Sequence, residues 1–368
     1  MRTLILTCNT GQGHNSSAAA VKDYFDNNGE FCCLCDSLKF SSGIISGIIA
    51  HGHVYIYRHM PGVFDKGYTF SESHGKVFRK GSLFYKIITV GAKKLYKYIT
   101  ENEIDTIVCV HPFAAMLVGE MNIRYKTKIR TALVATDYTC VPATDCSDMD
   151  MYFVPHRDVI PEFTRCGIPE EKIYVSGIPI RQEFFEKRKQ KNDSDFTEFP
   201  RDKKVILMCC GSMGCGPMKK LSEKILENSD GNTFVTAICG NNSRLYKKLS
   251  KKQSDNFMAV GYTDRMCDYM RACDVFLTKP GGVSTTEAAV LGTPMFFVNA
   301  VGGCEMRNFN FFKEKSCAFT AESNRDIPKA IVDLLGNSDK LETITENLNE
   351  NFGEKNSAEY IYTILKNL

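Results

Sequence analysis

Three short stretches carry the side chains that could do chemistry. The first, "LILTCNTGQGHNSSAAAVKDYF" at residues 3–24, sets His14 after Gly11 and Gly13, where a strand pattern gives way to a helical one. A dinucleotide loop would read G-x-G-x-x-G and a triphosphate loop G-x-x-x-x-G-K-[ST]; this stretch matches neither. A neutral imidazole, with an ordinary pKa of about 6.5, can take a proton at neutral pH, which makes His14 a candidate general base; it can equally cap the helix or sit satisfied in a core. The second stretch, "RTALVATD", ends a strand on Asp137, a carboxylate able to accept a proton or to cap the following turn. The third, "DVFLTKPGGVSTTEAAVLG" at 274–292, reads as a buried strand ending at Thr278, a Pro-Gly-Gly turn, a helix that Ser284 to Thr286 can cap, and Glu287 in its first turn. Such a loop aims backbone N–H groups and the positive end of a helix at an anion, and the carboxylate beside it suits sugar hydroxyls. The alternative is a plain turn and a helix capped by its own Glu.

The elements that must hold these residues repeat one grammar. In the first half, strand-like "TLILTCN", "FCCLCDSL", "IDTIVCVHP", "RTALVATD", "MYFVPH" and "IYVSGIP" alternate with helical runs, among them Ser16 to Asn27 and a helix after Pro112. Regular alternation of strand and crossover helix implies a parallel sheet covered on both faces. Residues 184–204 turn polar and charged without apolar period. A second series then opens at "KVILMCCGSMGCGP" and continues through "TFVTAICGNN", "NFMAVGYT", "VFLTKPGG" and "PMFFVN". The expected organisation is an N-terminal domain 1–185, a linker 186–203, a second α/β domain 204–350, and a C-terminal helix 351–368 returning to the first. Ligands in such folds bind beyond the carboxyl ends of the strands, so the function belongs in a cleft between the two sheets.

Composition narrows the class. At 368 residues, with 43% hydrophobic and 24% charged residues, the chain suits two soluble globular domains. The 16 cysteines lie inside apolar runs, where free thiols act as small hydrophobes, so a reduced, cytoplasmic protein is expected. Cys32, Cys33 and Cys35 form one cluster without a second Cys pair or a His pair, a poor zinc pattern. No apolar run reaches the roughly 20 residues that span a bilayer. The net charge of +3 is unevenly spread: residues 51–100 carry nine Lys/Arg, among them Arg79, Lys80, Lys93 and Lys94, against two acids, with ten Phe or Tyr interleaved. That mixture suits either a solvated helical face or an anionic lipid headgroup layer. Nucleic acid is not expected, because the rest of the chain has neither a basic excess nor a recognised module.

The third stretch resembles the donor-binding signature of family 28 glycosyltransferases, and nearly the whole chain is similar to the branch containing monogalactosyldiacylglycerol synthases and processive diacylglycerol glucosyltransferases. "GQGHNSSA" resembles that family's G-G-G-H-x-x-[SA]-A loop. "HPF" at His111, "TD" at Thr136, "GIPIR" at Gly177, "LMCCGSMGCGP", "ICGNN" and "GCEMRN" resemble further landmarks in the same order. Gln12 stands in place of a glycine, Gly303 and Cys304 replace the residues before Glu305, and the His and Trp common after the "TD" pair are absent. The resemblance implies a GT-B fold: α/β, two facing Rossmann-like domains with an interdomain cleft.

It further implies a UDP-hexose donor without a metal or other cofactor, a diacylglycerol or related lipid acceptor, inversion of the anomeric centre, and peripheral attachment to the inner face of the cell membrane. Gly211, Ser212, Met213 and Gly214 would give N–H groups to the diphosphate, as would the turn at Gly281 and Gly282 with Ser284 and Thr285. Thr263 would offer its backbone to uracil, Glu287 would bind the ribose, and Glu305 and Asn308 would reach the hexose. Gly11, Gly13 and His111 would lie on the acceptor side, with His14 or Asp137 as the base. The "DCSDMD" run at 145–150 reads as a loop before a strand rather than a metal-diphosphate bridge. Two other functions share the donor pocket: a UDP-GlcNAc transferase acting on a peptidoglycan lipid precursor, and a non-catalytic UDP-sugar-binding protein.

Overall fold

The computed structural model of the chain describes residues 1–8, 11–41, 77–188, 196–211, 214, 216–298, 302–353 and 355–367. Residues 51–76 of the basic aromatic stretch, 189–195 of the expected linker, and Ser212 and Met213 lie outside the described residues. The chain divides into two compact units: Met1–Gln182 with Val301–Arg307 and Lys355–Leu368, and Glu183–Ala300 with Asn308–Glu354.

The first unit is built on six parallel strands, β1 (Arg2–Thr7), β2 (Phe31–Asp36), β3 (Thr106–Cys109), β4 (Arg130–Val134), β5 (Met151–Val154) and β6 (Ile173–Val175), in the order 2-1-3-4-5-6. Ile5, Val108, Ala132 and Phe153 are wholly buried, as expected of strands covered on both faces. The chain reverses its direction of winding between β1 and β3, so the crevice beyond those two carboxyl ends is the topological switch point.

The second unit repeats the plan with β7 (Lys204–Cys209), β8 (Thr233–Ile238), β9 (Phe257–Val260), β10 (Val275–Thr278), β11 (Met295–Phe297) and β12 (Ala318–Thr320). All are parallel in the order 12-11-10-7-8-9, and the switch point falls between β7 and β10. The sequence pattern gave no sign of β12, a three-residue edge strand of half-buried residues whose only cue is its pairing with Met295–Phe297.

The first helix also departs from expectation. It runs from Gln12, not Ser16, to Asn27, with Gly11 as an extended N-cap. Its buried face begins only at Ser17 and continues through Ala18, Ala20, Val21 and Phe25, so apolar periodicity could not register an exposed first turn. His14 is therefore the third residue of a helix and not part of a loop. The C-terminal helix Ser357–Asn367 packs beside it in the same unit. Ile361, Tyr362 and Leu365 share one core cluster with Val21 and Phe25, and the Phe25 and Tyr362 rings meet edge to face at 5.2 Å.

Candidate active site

In the first unit the switch point brings two histidines together. His14 follows β1 and His111 follows β3; their rings meet edge to face at 4.7 Å and 74°. His111 is the N-cap of the Pro112–Tyr125 helix, and its Nδ1 accepts the Phe113 N–H at 3.1 Å. The neutral His111 ring therefore carries its proton on Nε2. His14 has the opposite arrangement. Its Nδ1 lies 3.1 Å from the Val110 carbonyl oxygen and 2.8 Å from Thr136 Oγ1. A carbonyl only accepts, so Nδ1 carries the proton in that contact and Nε2 becomes the basic nitrogen of the neutral ring.

Asp137, the rival base, is half-buried beside Thr136. One small pocket of this unit is lined by His14, Pro112, Leu133, Thr136, Asp137 and Thr144, so both candidates face the same space. Burial, followed by the charges of Asp137 and Glu305, pushes the Cys304 thiol well above its ordinary range, which puts both carboxylates within electrostatic reach of Cys304. Gly11, the half-buried N-cap, and Gly13, an exposed second residue of the helix, flank Gln12 at this edge.

In the second unit the loops after β7 and β10 leave on either side of the other switch point. Thr278 Oγ1 ties them by donating to the Cys209 carbonyl at 2.8 Å. Gly211 and Gly214 both have positive φ, +77° and +53°, and the Gly214 N–H donates to the Gly211 carbonyl at 3.0 Å. A Cβ on Gly214 would lie 2.4 Å from the Cys239 carbonyl oxygen, so the loop requires glycine there. Asn242 Nδ2 donates to the Gly214 carbonyl at 3.1 Å, and Asn242 Oδ1 caps the Ser243–Leu249 helix through Leu245 N–H.

The Pro-Gly-Gly turn differs from the reading of its sequence. The helix starts at Gly282 with Gly281 as N-cap, without a side-chain cap, so Ser284 to Thr286 lie inside it and Glu287 falls in its second turn. Two residues without side chains let the helix begin early, and the hydroxyls then bond backwards. Thr285 Oγ1 donates to Gly281 O at 2.8 Å, Thr286 Oγ1 to Gly282 O at 2.7 Å, and Ser284 Oγ reaches Gly281 O at 3.4 Å. Glu287 is half-buried, and its charge is one of the causes, after burial and Cys210, that hold the Cys209 thiol up at about 12. The carboxylate thus stands near the end of β7. Asn308 is fully buried and its Nδ2 donates to the Pro280 carbonyl at 3.0 Å, which pins the turn.

Thr263 follows β9, two strands from β7 across the sheet, and its Oγ1 accepts the Arg265 N–H at 3.1 Å. Glu305 is in the first turn of the Cys304–Glu314 helix, half-buried. Arg79, Lys80, Lys93 and Lys94 are all exposed, the last two on the Ala92–Glu101 helix. Among the described residues no group of three or more His, Cys, Asp or Glu is placed to hold a metal ion, and no helix is long and apolar enough to cross a membrane. Reading the sequence assigned no chemistry to Val110 or Thr136. A backbone carbonyl leaves no trace in sequence, and Thr136 was visible only as half of the "TD" pair.

Known proteins resemble the chain in both of its halves. Residues 14–180 match the family model of monogalactosyldiacylglycerol (MGDG) synthase, and residues 205–359 match the glycosyltransferase family 28 C-terminal domain. The chain is 26% identical over 379 residues to a processive diacylglycerol beta-glucosyltransferase of Bacillus subtilis, covering 99% of this chain and 95% of that protein. It is 26% identical over 346 residues to the Staphylococcus aureus protein of the same name, covering 92% and 86%. Among solved structures, Acinetobacter baumannii MurG superposes with a TM-score of 0.66 at 11% identity over 100% of both chains. The UDP co-structure of S. aureus MnaA gives 0.63 at 13% over 100% of this chain and 96% of that one. At these identities the structures speak for the fold, which is α/β and GT-B. Matched in both halves and along nearly its whole length, the chain belongs to the family 28 glycosyltransferases, in the group of the monogalactosyldiacylglycerol synthases and processive diacylglycerol glucosyltransferases.

Proposed function

We propose that the chain transfers a hexose from a UDP-sugar to the free hydroxyl of diacylglycerol at a membrane surface, inverting the anomeric centre to give a β-linked glycolipid. The observation that carries this reading is His14, held at a switch point with Nδ1 protonated against Val110 and Nε2 left basic. Direct displacement at an anomeric carbon needs such a group, because the attacking hydroxyl must lose its proton as the bond forms. The acceptor named for the relatives, diacylglycerol, has one hydroxyl of that kind.

In this reading the second unit holds the donor. Gly211 and the N-terminus of the Gly282–Leu291 helix turn N–H groups to the diphosphate, whose departure they stabilise, while Gly214 shapes the loop through its bond to the Gly211 carbonyl and Ser212 and Met213 keep the same diphosphate role on the resemblance alone. Thr263 offers its backbone to uracil; two strand spacings put it about 10 Å from β7, a span suited to a nucleoside with its phosphates. Glu287 takes the ribose hydroxyls, and Ser284, Thr285 and Asn308 serve by fixing the turn and the helix start; the hexose is assigned to Glu305, a residue of the first unit.

The test is incubation with UDP-glucose and UDP-galactose in turn, with diacylglycerol in anionic vesicles, followed by lipid analysis and assignment of the anomeric linkage. A β-hexosyl diacylglycerol from one donor is the expected product, formed equally with a chelator present. Bound UDP without any glycolipid would leave only a sugar-nucleotide-binding protein, and transfer of N-acetylglucosamine to a lipid-linked peptidoglycan precursor would replace diacylglycerol as acceptor.

A further inference from the structure

We infer that Thr136 is the positioning residue of His14: where the Val110 carbonyl selects the Nδ1–H tautomer, the Thr136 hydroxyl accepts from the same Nδ1–H, orients the imidazole and strengthens it as a base. The inference rests on His14 being the base in the proposed reaction. Thr136 is buried, 8% exposed, on the turn that leaves β4, and its Oγ1 is 2.8 Å from His14 Nδ1. Both groups facing Nδ1 are held by sheet hydrogen bonds. Val110 N–H donates to Leu6 O at 3.0 Å, and Ala135 N–H, next to Thr136, donates to Phe153 O at 2.9 Å. The ends of β1, β3 and β4 thus arrange a carbonyl and a hydroxyl about one nitrogen before any substrate arrives.

The chemistry follows from which atoms can donate. With Nδ1–H shared between Val110 O and Thr136 Oγ1, the neutral ring is held with its lone pair on Nε2. When Nε2 accepts the acceptor hydroxyl's proton, the ring becomes a cation and its Nδ1–H becomes a stronger donor, so both oxygens bind it more tightly. A hydrogen bond that strengthens in the charged form favours that form. Unlike a carboxylate, a hydroxyl is neutral, so removing it removes one acceptor without leaving a buried charge. The titratable groups about the same space are His111 and Asp137, which set the background against which Thr136 acts.

The test compares Thr136→Val, which keeps the shape and loses the hydroxyl, with Thr136→Ser, which keeps it. Nitrogen-15 labelling of the histidines reports the protonated ring nitrogen and the titration midpoint directly, with His14 assigned by its loss in His14→Gln. We expect wild type to show the Nδ1–H tautomer. Thr136→Val should keep that tautomer, which the Val110 carbonyl selects, but titrate about half a pH unit lower, and Thr136→Ser should restore the midpoint. In the glycolipid assay Thr136→Val should cut kcat about tenfold with KM for the sugar nucleotide unchanged, and the acid limb of the rate profile should move to lower pH. An unchanged His14 midpoint in a folded Thr136→Val would overturn the inference. If the nitrogen signals shift as described while His14→Ala keeps full turnover, Thr136 does position His14 and it is the base assignment that fails.

Discussion

The pair His14 and Asp137 poses the sharpest residue-scale question, since both line one pocket and only one can take the proton. Geometry favours His14. The Val110 carbonyl, which only accepts, faces its Nδ1 with the Thr136 hydroxyl beside it, and this commits Nε2 of the neutral ring to accepting. His14→Ala should therefore lower kcat by about 10² to 10⁴ with UDP affinity nearly unchanged, and Asp137→Asn should cost far less. The reverse ranking in steady-state assays would transfer the role to Asp137. On the donor side Glu287 stands near the end of β7, where a carboxylate can accept from two adjacent hydroxyls. Glu287→Gln keeps the shape and loses the charge-assisted character of both bonds, so calorimetry should find UDP binding weaker by about 1.5 to 3 kcal/mol. Equal affinity would remove Glu287 from the ribose site.

At the scale of elements, the C-terminal helix Ser357–Asn367 is fastened to the first unit by a polar latch as well as by its apolar face. Glu30 accepts from the Met1 amine at 2.9 Å, from Lys366 at 3.1 Å and from Tyr362 Oη at 3.2 Å. These donors, the amine foremost, hold the Glu30 carboxyl down at about 2. A carboxylate whose pKa is lowered by folding adds stability that is complete above its unfolded value and disappears as pH falls through the folded one. Glu30→Gln should thus lower unfolding stability by about 1 to 2 kcal/mol at neutral pH, a figure kept small because Lys366 is 54% exposed. The gap between variant and wild type should close between about pH 4.5 and pH 2, as measured by urea unfolding. A gap that stays constant over that range would rule out the ion pair as its source. Eleven of the twelve described strands were legible because their apolar runs are bounded by turn residues; β12 was not, being three residues defined by a neighbour. Both helix starts beside the candidate sites, Gln12 and Gly282, were misplaced, each for its own reason: the exposed first turn after Gln12 leaves apolar period nothing to register, whereas the first turn after Gly282 is buried but made mostly of glycine and hydroxyl residues that carry little apolar signal. The glycine loops and the acidic and imidazole side chains could be read from the sequence, but the hydrogen bonds that select Nε2 of His14 could not, because they come from strand ends brought together only by the sheet.

Across the whole molecule the question is how a chain with a net charge of only +3 would reach the proposed acceptor, a lipid lying in a bilayer. Distribution matters more than total. Between 77 and 101 the exposed cations Arg79, Lys80, Lys86, Lys93, Lys94 and Lys97 face a single acid, Glu101, which pairs with Lys97 at 3.5 Å. Leu83, 75% exposed, and Val90, 51% exposed, stand among them. Such a surface has two separable attractions. Each cation near an anionic leaflet contributes about 1 kcal/mol, decaying over a Debye length of roughly 8 Å in physiological salt. An exposed Leu entering the headgroup boundary adds about 1.5 kcal/mol or more, insensitive to salt. Sedimentation with vesicles should therefore require anionic lipid and weaken as salt rises. Replacing Arg79, Lys80, Lys93 and Lys94 together with Gln should flatten that salt dependence and release the protein, with UDP binding unaltered. Leu83→Ala should weaken binding by about tenfold at every salt concentration while leaving the slope intact. If the quadruple variant sediments as the wild type does, the cations are only a solvated face, and an acceptor free in solution becomes the better substrate to seek.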